Sequence, residues 1–297
     1  MDDPNSQNDE VLYHYCGAEP FLKIIEERSV WLSGISLAND TMEGRIVAET
    51  LMQLADESNL PLDQRSHLRE AVEVVGSIFE GFAFCLSRAS DQLSQWRGYA
   101  FDGAGYSIGF SRNYLCKLAT EEWSDKGRFQ LGDMKYEVEE HKRLAGPAFE
   151  VLAKLVKDDA LTFSSQYGGL MTYPLPPLEQ VKRDKAFEKA KELLLLKAAD
   201  ALHSLQLLKQ SGFHEETEVR LITMATPSQN KAIKFRARGQ DLVPYLPIEL
   251  RSLDGLSPIR EVWIGPKNRT PTHLVKAALM RSGFENVPVY RSETTYR

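Results

Sequence analysis

Cysteine is scarce in this sequence, and long apolar runs are missing. The 297 residues include three cysteines, Cys16, Cys85 and Cys116, and none of them belongs to a Cys-x-x-Cys pair. An odd number without that spacing is typical of neither a disulfide framework nor a zinc site. No stretch approaches the roughly 18 apolar residues that a membrane-spanning helix needs. We therefore expect a protein of a reducing compartment with no metal site and no membrane span.

Positive charge is also in short supply. Lysine and arginine number 36 against 42 aspartates and glutamates, which gives a formal net charge of -6. This balance disfavours broad nonspecific binding to nucleic acid, although a local basic cleft stays open. The opening residues, Met1-Asp2-Asp3-Pro4, do not resemble a secretion signal. A cytoplasmic location is the expectation.

A glycine-rich dinucleotide fingerprint is missing as well. Gly103 and Gly105 stand two positions apart, but the full glycine pattern and the helix that follows it in that motif are absent. The patterns that are present indicate many short strands around a few helices, which is typical of the α+β class. The predicted strands cover residues 12–16, 30–33, 82–87, 106–110, 134–138, 217–222, 231–237, 246–250, 259–264 and 287–291. The predicted helices cover residues 19–28, 43–54, 64–78, 145–156, 178–209 and 272–282.

The first predicted strand carries a histidine, His14, among aromatic and aliphatic residues. An imidazole in a core strand must find hydrogen-bond partners or bear the cost of desolvation. His14 is therefore either a satisfied core histidine or a residue that holds a ligand in a cleft. The sequence leaves both interpretations open.

The densest polar segment follows the predicted strand that ends at Ser87. Within a few residues come Trp96, Arg97 and Tyr99, an indole, a guanidinium and a phenol. Such groups suit stacking on a flat ring and pairing with phosphate. The alternative is a surface loop pinned by Trp96 in the core, with Arg97 in a structural ion pair.

A late strand carries a carboxylate and a guanidinium two positions apart, Glu218 and Arg220. Because strand residues alternate between faces, these two side chains point the same way, opposite Val219 and Leu221. A partly buried carboxylate is a functional candidate, since burial and neighbouring charges tune its pKa. A purely structural ion pair between Glu218 and Arg220 is the alternative.

The longest helical pattern runs over residues 178–209 and is rich in alanine, glutamate, lysine and leucine. This helix could cross the whole molecule and pack its apolar stripe in the core, or the stripe could pair with that of a second copy in a homodimer.

Four blocks of the chain resemble the bacterial domain of unknown function family 2971. The first block is Tyr13-His14-Tyr15, with Val30-Trp31-Leu32-Ser33 and Asn39-Asp40 plus Glu43 after it. The second is Phe84-Cys85-Leu86-Ser87 with Ser94-Gln95-Trp96-Arg97-Gly98-Tyr99, and the third covers residues 216–222. The fourth is Ile264-Gly265-Pro266 with residues 292–297. Cys16 departs from the pattern, in which a small hydroxyl residue is expected.

The order of these blocks is similar to that of the ADP-ribosyltransferase-like superfamily. This resemblance implies one domain over residues 1–297 with a mixed, largely antiparallel split sheet and helical insertions near 43–80 and 145–210. It also implies that NAD is bound as a substrate. The matching motifs imply His14 and Glu218 as catalytic residues and His14, Tyr15, Ser87, Trp96, Arg97 and Tyr99 as cofactor-binding residues.

The resemblance assigns a role to each of these groups. His14 would hydrogen-bond a ribose of NAD, Ser87 or Tyr99 would supply the second motif, and Glu218 would complete the site. Trp96 or Tyr99 could stack on nicotinamide, and Arg97 could hold the pyrophosphate.

These roles imply an NAD-consuming enzyme that transfers ADP-ribose to a macromolecular acceptor, protein or nucleic acid, as a toxin or antiviral defence effector would. Two alternatives stay open. One is NAD hydrolysis without transfer. The other is a noncatalytic module that uses the same cleft for a nucleotide or a partner protein.

Overall fold

The computed structural model describes residues 9–37, 43–121, 128–157 and 199–296, together with the single positions 178, 185, 188, 189 and 192. Within these residues, ten strands join in one sheet. The strands are β1 (Val11–Cys16), β2 (Ser29–Gly34), β3 (Glu80–Ser87), β4 (Tyr106–Ser111), β5 (Gln130–Asp133), β6 (Glu218–Ala225), β7 (Lys234–Arg238), β8 (Asp241–Glu249), β9 (Ile259–Ile264) and β10 (Val289–Arg291).

Helices cover both faces of this sheet. They are α1 (Ala18–Glu26), α2 (Glu43–Glu57), α3 (Leu62–Ile78), α4 (Leu93–Tyr99), α5 (Arg112–Thr120), α6 (Val138–Lys157), α7 (Ala199–His203) and α8 (Thr272–Arg281). Among the residues that the structure describes, none of the helices combines the length and the apolar character that crossing a membrane requires.

The sheet is largely antiparallel and branches at β3. Hydrogen-bonded neighbours follow the order β10-β9-β4-β1-β3-β2-β8-β7, and β6 pairs with both β3 and β5. One edge of β3 pairs with β6 along its whole length. The other edge is shared, since β2 pairs there around Ala83 and β1 pairs at Ser87. The predicted α+β class with a mixed, largely antiparallel sheet is confirmed.

The main hydrophobic core lies on one face of the sheet, under α1, α5 and α8. Alternation along the strands sends every second side chain into it. Its members include Leu12, Ile25, Val30, Phe84, Ile108, Leu115, Val219, Ile248, Val262 and Leu279, each at most 2% exposed. Burying one such side chain stabilises the fold by about 1.5–3 kcal/mol.

A helical layer covers the opposite face of β3 and β6. Helices α2 and α3 pack against α6 and α7, although the two pairs are far apart in the sequence. Helices α2, α3 and α7 fall within the segments 43–80 and 145–210, where the resemblance implies insertions, and α6 begins ahead of the second segment, at Val138. Leu51, Leu68 and Leu152 are fully buried between them.

One local prediction is wrong. The predicted strand 134–138 is irregular chain, and the strand lies at Gln130–Asp133. Buried Met134 and Tyr136 produce an alternating pattern there, but the pairing is limited to a single bridge between Lys135 and Leu208.

The segment after Ser87, for which a surface loop was one of two interpretations, contains the short helix α4.

The predicted helix over residues 178–209 lies mostly outside the described residues. Near its end, α7 gives way to a 3-10 turn over Ser204–Leu207. Leu202, Leu205 and Leu208 pack inside the helical layer of the same chain. These three side chains are therefore not available as a stripe for a second copy, and the predicted homodimer stays a prediction for the remaining part of the segment.

Gly105 allows the close approach of two chain segments near the end of β1. A Cβ atom at Gly105 would overlap the carbonyl oxygen of Cys16 and lie 3.0 Å from Ala100 Cα. Because relieving these overlaps would require shifts of the backbone, we expect Gly105→Ala to lower the free energy of unfolding by about 3 kcal/mol. Urea denaturation of the variant measures this change.

Gly76 provides the matched control, because a Cβ atom there meets nothing within 4 Å inside α3. Gly76→Ala should raise the free energy of unfolding by about 0.5–1 kcal/mol through helix propensity. Equal effects at both positions would contradict the packing described for Gly105.

Candidate functional site

The β3–β6 ladder presents one apolar and one polar face. Leu86 and Val219 point into the main core. On the other face, cross-strand neighbours include the pairs Cys85 with Arg220 and Ser87 with Glu218. Near the start of β6 this second face carries the charged groups Glu218 and Arg220, as the alternation of Val219 and Leu221 with Glu218 and Arg220 predicts.

Glu218 lies at the centre of a buried ionic cluster formed by Lys209, Glu216, Glu218 and Arg220. Arg220 Nε donates to Glu218 Oε1 at 2.6 Å, and Lys209 Nζ donates to Glu218 Oε2 at 2.6 Å. Lys209 Nζ also donates to Glu216 Oε2 at 2.6 Å. Glu218 is only 6% exposed, while Lys209 and Arg220 are each 3% exposed. The ion pair between Glu218 and Arg220 that the sequence left open is therefore present.

The cluster holds Glu218 in its ionised form. Burial by itself raises the pKa of a carboxyl group, but the charges and hydrogen bonds of Arg220 and Lys209 outweigh it and lower the pKa of Glu218 to about 2. Burial would lower the pKa of Lys209, but the two carboxylates raise it above its usual value. A carboxylate with so low a pKa is a weak base, but it can accept a hydroxyl hydrogen bond or stabilise a developing positive charge.

A strained turn directly before Glu218 positions its side chain in the cluster. Thr217 adopts a left-handed conformation, with φ 42° and ψ 48°, between the 3-10 turn Ser211–Glu216 and β6. This conformation is unfavourable for a β-branched residue. The hydroxyl of Ser87 donates to the carbonyl oxygen of Glu216 at 2.9 Å, and the amide of Glu218 donates to Tyr136 Oη at 3.0 Å. These bonds hold the turn on either side of Thr217.

Of the two residues predicted for the second motif, Tyr99 offers the more accessible group. Its hydroxyl donates to Glu216 Oε1 at 3.1 Å, and the residue is 41% exposed. Ser87 is 2% exposed, and its hydroxyl is already engaged with the turn. The structure thus brings Ser87, Tyr99 and Glu218 together at one end of the ladder, with Tyr99 at the surface.

His14 lies on the opposite face of the sheet. Tyr13 pairs with Ser87, so Tyr13 shares the face of Glu218 and its neighbour His14 points the other way. The His14 ring packs against Phe84 of the main core, with ring centroids 4.4 Å apart. The expected meeting of His14 and Glu218 in one cleft needs correction, because strand alternation separates the two side chains.

His14 makes a structural bond at the branch of the sheet. Its Nδ1 donates to the carbonyl oxygen of Cys85 at 2.9 Å, across the region where β1 leaves β3. Part of the ring surface remains accessible, but the surrounding protein desolvates the imidazole and lowers its pKa to about 4, against a smaller opposing effect of the Cys85 bond. His14 is therefore neutral at physiological pH.

Trp96 and Tyr15 form a packed pair beneath α4. Trp96 is fully buried and meets Tyr15 edge-on, with ring centroids 4.8 Å apart. Trp96 Nε1 donates to Asp91 Oδ1 at 2.6 Å, and the Tyr15 hydroxyl donates to the carbonyl oxygen of Ala89 at 2.7 Å. Trp96 thus pins this segment in the core and presents no exposed face on which nicotinamide could stack.

Arg97 lies on the outer surface of α4, next to the C-terminal segment. Its guanidinium lies 5.9 Å from the centre of the Tyr296 ring. The same segment is anchored to Asp91, which accepts hydrogen bonds from Ser292 Oγ at 2.5 Å and Glu293 N at 2.8 Å. Arg97 is therefore not directed at the ionic cluster.

Lys209 and Glu216 were not predicted as site residues. Lys209 lies outside the four blocks and Glu216 opens the third, but no role was assigned to either, since the site assembles them through the 3-10 turns before β6. The one signal in the sequence is a lysine directly after the apolar stripe that ends at Leu208. Across the described residues, no group of three or more His, Cys, Asp and Glu side chains is arranged to hold a metal ion.

Fold and site together define an α+β protein with an open, largely antiparallel sheet and a buried ionic cluster on one face of it. Residues 95–221 match the model of the family described as Protein of unknown function (DUF2971). The matched part is less than half of the chain, and it includes most of α4 and the start of β6 with Glu218 and Arg220. This match supports the resemblance to that family. No curated protein matches the chain, and no solved structure does either.

Removal of the Glu218 charge should destabilise the fold strongly. We expect Glu218→Gln to lower the free energy of unfolding at pH 7 by about 3–5 kcal/mol, because Lys209 and Arg220 lose a buried counter-charge. Since the folded pKa lies near 2 and the ordinary value is 4.5, this contribution is complete above pH 4.5 and fades as the pH falls towards 2. Denaturant unfolding at several pH values measures the difference in unfolding free energy between the wild-type protein and Glu218→Gln.

Glu57→Gln is the matched control for this loss. Glu57 pairs with Lys142 at 2.6 Å, but its side chain is 54% exposed. Its replacement should change stability by less than about 0.5 kcal/mol at any pH. A Glu218→Gln effect of the same small size would show that the cluster is not held as described.

Stability should also depend on His14 between pH 4 and 6.5. In that window the unfolded chain binds a proton at His14 and the folded chain does not, so stability is complete above pH 6.5 and declines by about 3 kcal/mol towards pH 4. In His14→Asn, the side-chain amide N–H replaces the ring N–H as a donor, but the side chain does not titrate. The unfolding free energy of this variant should therefore vary less with pH than that of the wild-type protein. Identical pH profiles for the two proteins would contradict a desolvated His14.

Proposed function

We propose that the protein is an NAD-consuming enzyme that transfers ADP-ribose to a macromolecular acceptor, with Glu218 as its catalytic carboxylate. The observation that carries this proposal is a buried carboxylate, held ionised at the start of a strand and adjacent to the exposed phenol of Tyr99. The substrate class comes from the resemblance to the ADP-ribosyltransferase-like superfamily. The branch of the sheet at β3 is in keeping with the split sheet of that type.

The chemistry of the site suits cleavage of the bond between nicotinamide and ribose. This reaction develops oxocarbenium character on the sugar, and an ionised carboxylate beside it stabilises that charge. Lys209 and Arg220 keep Glu218 in place and ionised, while Tyr99 provides an aromatic surface at the edge of the cluster. Ser87 acts through the turn before Glu218 and is a positioning residue.

His14 has a different role in this proposal from the one implied by the resemblance. Since it faces the main core, it does not touch a ligand bound beside Glu218. Its bond to the carbonyl oxygen of Cys85 holds β1 against β3 at the branch. His14 therefore maintains the geometry of the sheet at the site.

A noncatalytic nucleotide-binding or partner-binding module is the second candidate, and one observation favours it. Lys209 and Arg220 already engage both carboxylate oxygens of Glu218. A carboxylate that is fully used in structural bonds contributes less to a reaction than one that is directed at the substrate. Under this alternative, the polar face of the ladder binds its ligand without turnover.

The test is to incubate the purified protein with adenylate-labelled NAD and with protein and nucleic acid acceptors. Nicotinamide release and labelled acceptor are the expected products. Glu218→Gln should reduce the rate at least about 100-fold, because it removes the charge that stabilises the transition state. Glu57→Gln should retain the rate. Circular dichroism at the assay temperature confirms that both variants are folded.

The other outcomes separate the alternatives. Nicotinamide release without labelled acceptor indicates NAD hydrolysis. Calorimetric binding of NAD without nicotinamide release selects the noncatalytic module. An undiminished rate in folded Glu218→Gln would refute the catalytic role of the carboxylate.

A further inference from the structure

One row of paired residues crosses five strands of the sheet on the face that carries Glu218. The pairs run from Glu218 in β6 to Ser87 in β3, then to Tyr13 in β1, Gly109 in β4 and Glu261 in β9. Since neighbouring strands lie about 4.8 Å apart, Glu261 is roughly 19 Å from Glu218 along this row. The far end of the row is thus a second acidic position on the same face, separate from the ionic cluster.

Two aromatic side chains hold the carboxylate of Glu261 in place. The Tyr13 hydroxyl donates to Glu261 Oε1 at 2.9 Å, and Trp263 Nε1 donates to the same oxygen at 2.7 Å. The Glu261 side chain is only partly buried. Its second oxygen, Oε2, accepts no hydrogen bond from the described residues and is not enclosed. One oxygen is therefore fixed by the protein, while the other stays available to a ligand.

The charge of Glu261 is not balanced by a neighbouring cation. Among the residues that the structure describes, no lysine, arginine or histidine forms an ion pair with this carboxylate. Phenol and indole are neutral donors, so the two bonds to Oε1 leave the negative charge in place. Glu218 differs, since Lys209 and Arg220 bond both of its oxygens. Glu261 therefore offers a charge that a bound cation can neutralise.

Aromatic rings border this carboxylate at the edge of the sheet. Trp263 and Tyr290 are paired on the adjacent strands β9 and β10, and their ring centroids lie 5.1 Å apart. Tyr290 is 43% exposed, and Trp263 is partly exposed. The faces of such rings attract ammonium and guanidinium groups. A carboxylate with these neighbours favours an organic cation over an anion or a neutral ligand.

Gly109 provides the open floor that this arrangement needs. A Cβ atom there would lie 2.9 Å from Glu261 Cγ and 3.1 Å from Tyr13 Cε1. A larger residue would push the Tyr13 hydroxyl and the carboxylate apart. The pairing of β4 with β9 also shifts register directly after Gly109. Such bulges redirect side chains and are common beside functional sites.

We propose that Glu261, Tyr13, Trp263 and Tyr290 form a binding site for an alkylammonium group, such as a lysine side chain carries. Glu261 Oε2 accepts a charge-assisted hydrogen bond from the ammonium, and the rings of Trp263 and Tyr290 lie beside the cation. An ammonium is a compact charge that suits one free carboxylate oxygen, whereas a guanidinium pairs best with two. The site does not depend on NAD chemistry.

Titration with Nα-acetyl-lysine methylamide and with its norleucine counterpart tests the site. The two molecules share their backbone and alkyl chain, but only the lysine derivative carries the ammonium. The indole N–H signal of Trp263 in a nitrogen–proton correlation spectrum reports binding, and Trp263→Phe assigns that signal. The lysine derivative should shift the signal and bind at least about tenfold more tightly than the norleucine derivative.

Glu261→Gln and Glu285→Gln form a matched pair for the location. Glu261→Gln keeps an acceptor oxygen for Tyr13 and Trp263 but loses the charge, so it should weaken binding of the lysine derivative at least about tenfold. Glu285 is an exposed carboxylate between α8 and β10, and its replacement should leave the affinity within about twofold of wild type. Circular dichroism establishes that both variants are folded.

A second titration identifies the source of the ammonium group. Butylamine and a pentapeptide with one lysine between alanines carry the same charged group. Tighter binding of the peptide indicates a lysine of a partner protein, and tighter binding of butylamine indicates a small amine.

Three results would overturn the proposal. They are no shift of the Trp263 signal with the lysine derivative, equal affinity for the lysine and norleucine derivatives, and undiminished binding in folded Glu261→Gln. These results leave the NAD proposal untouched, since none of them involves Glu218 or NAD turnover.

Discussion

The pairing of β3 with β6 is the constraint on which the rest of the structure depends. It joins the two strands at every position from Glu80 to Ser87, and the two parts of the sheet branch from the other edge of β3. One face of this ladder completes the main core. The other face is covered by the helical layer at one end and carries the ionic cluster at the other. Disturbing this pairing would therefore affect the core, the helical layer and the candidate site together.

The ionic cluster is not explained by stability alone. Two carboxylates and two cations lose their hydration in it, and such groups are often no more stabilising than hydrophobic residues of similar size. Their hydrogen bonds with one another offset part of this cost. Thr217 adds a strained backbone at the same place. Energetically unfavourable features, here buried charges and a left-handed backbone, often coincide at functional sites. This supports Glu218 as the residue to test first.

Strand alternation and composition made much of the fold and part of the site predictable. The opposite orientation of Val219 and Glu218 and the helices α2, α3 and α8 follow from local pattern, whereas the burial of Trp96 decides between two interpretations that the sequence left open. Alternation also separates His14 from Glu218, but only once the pairing of Tyr13 with Ser87 is known. Register between distant strands depends on packing across the whole sheet, which no local pattern expresses.

The sequence by itself determined the α+β class, most strand and helix positions, and the shared direction of Glu218 and Arg220, because each of these follows from the spacing of apolar residues. Only the tertiary structure decided that Lys209 joins Glu218, that His14 faces the core, and that Tyr13 bonds Glu261. Lys209 reaches its place through irregular turns, and Tyr13 meets Glu261 across β4. Their positions result from contacts between segments distant in the chain, which the order of residues along one segment cannot specify.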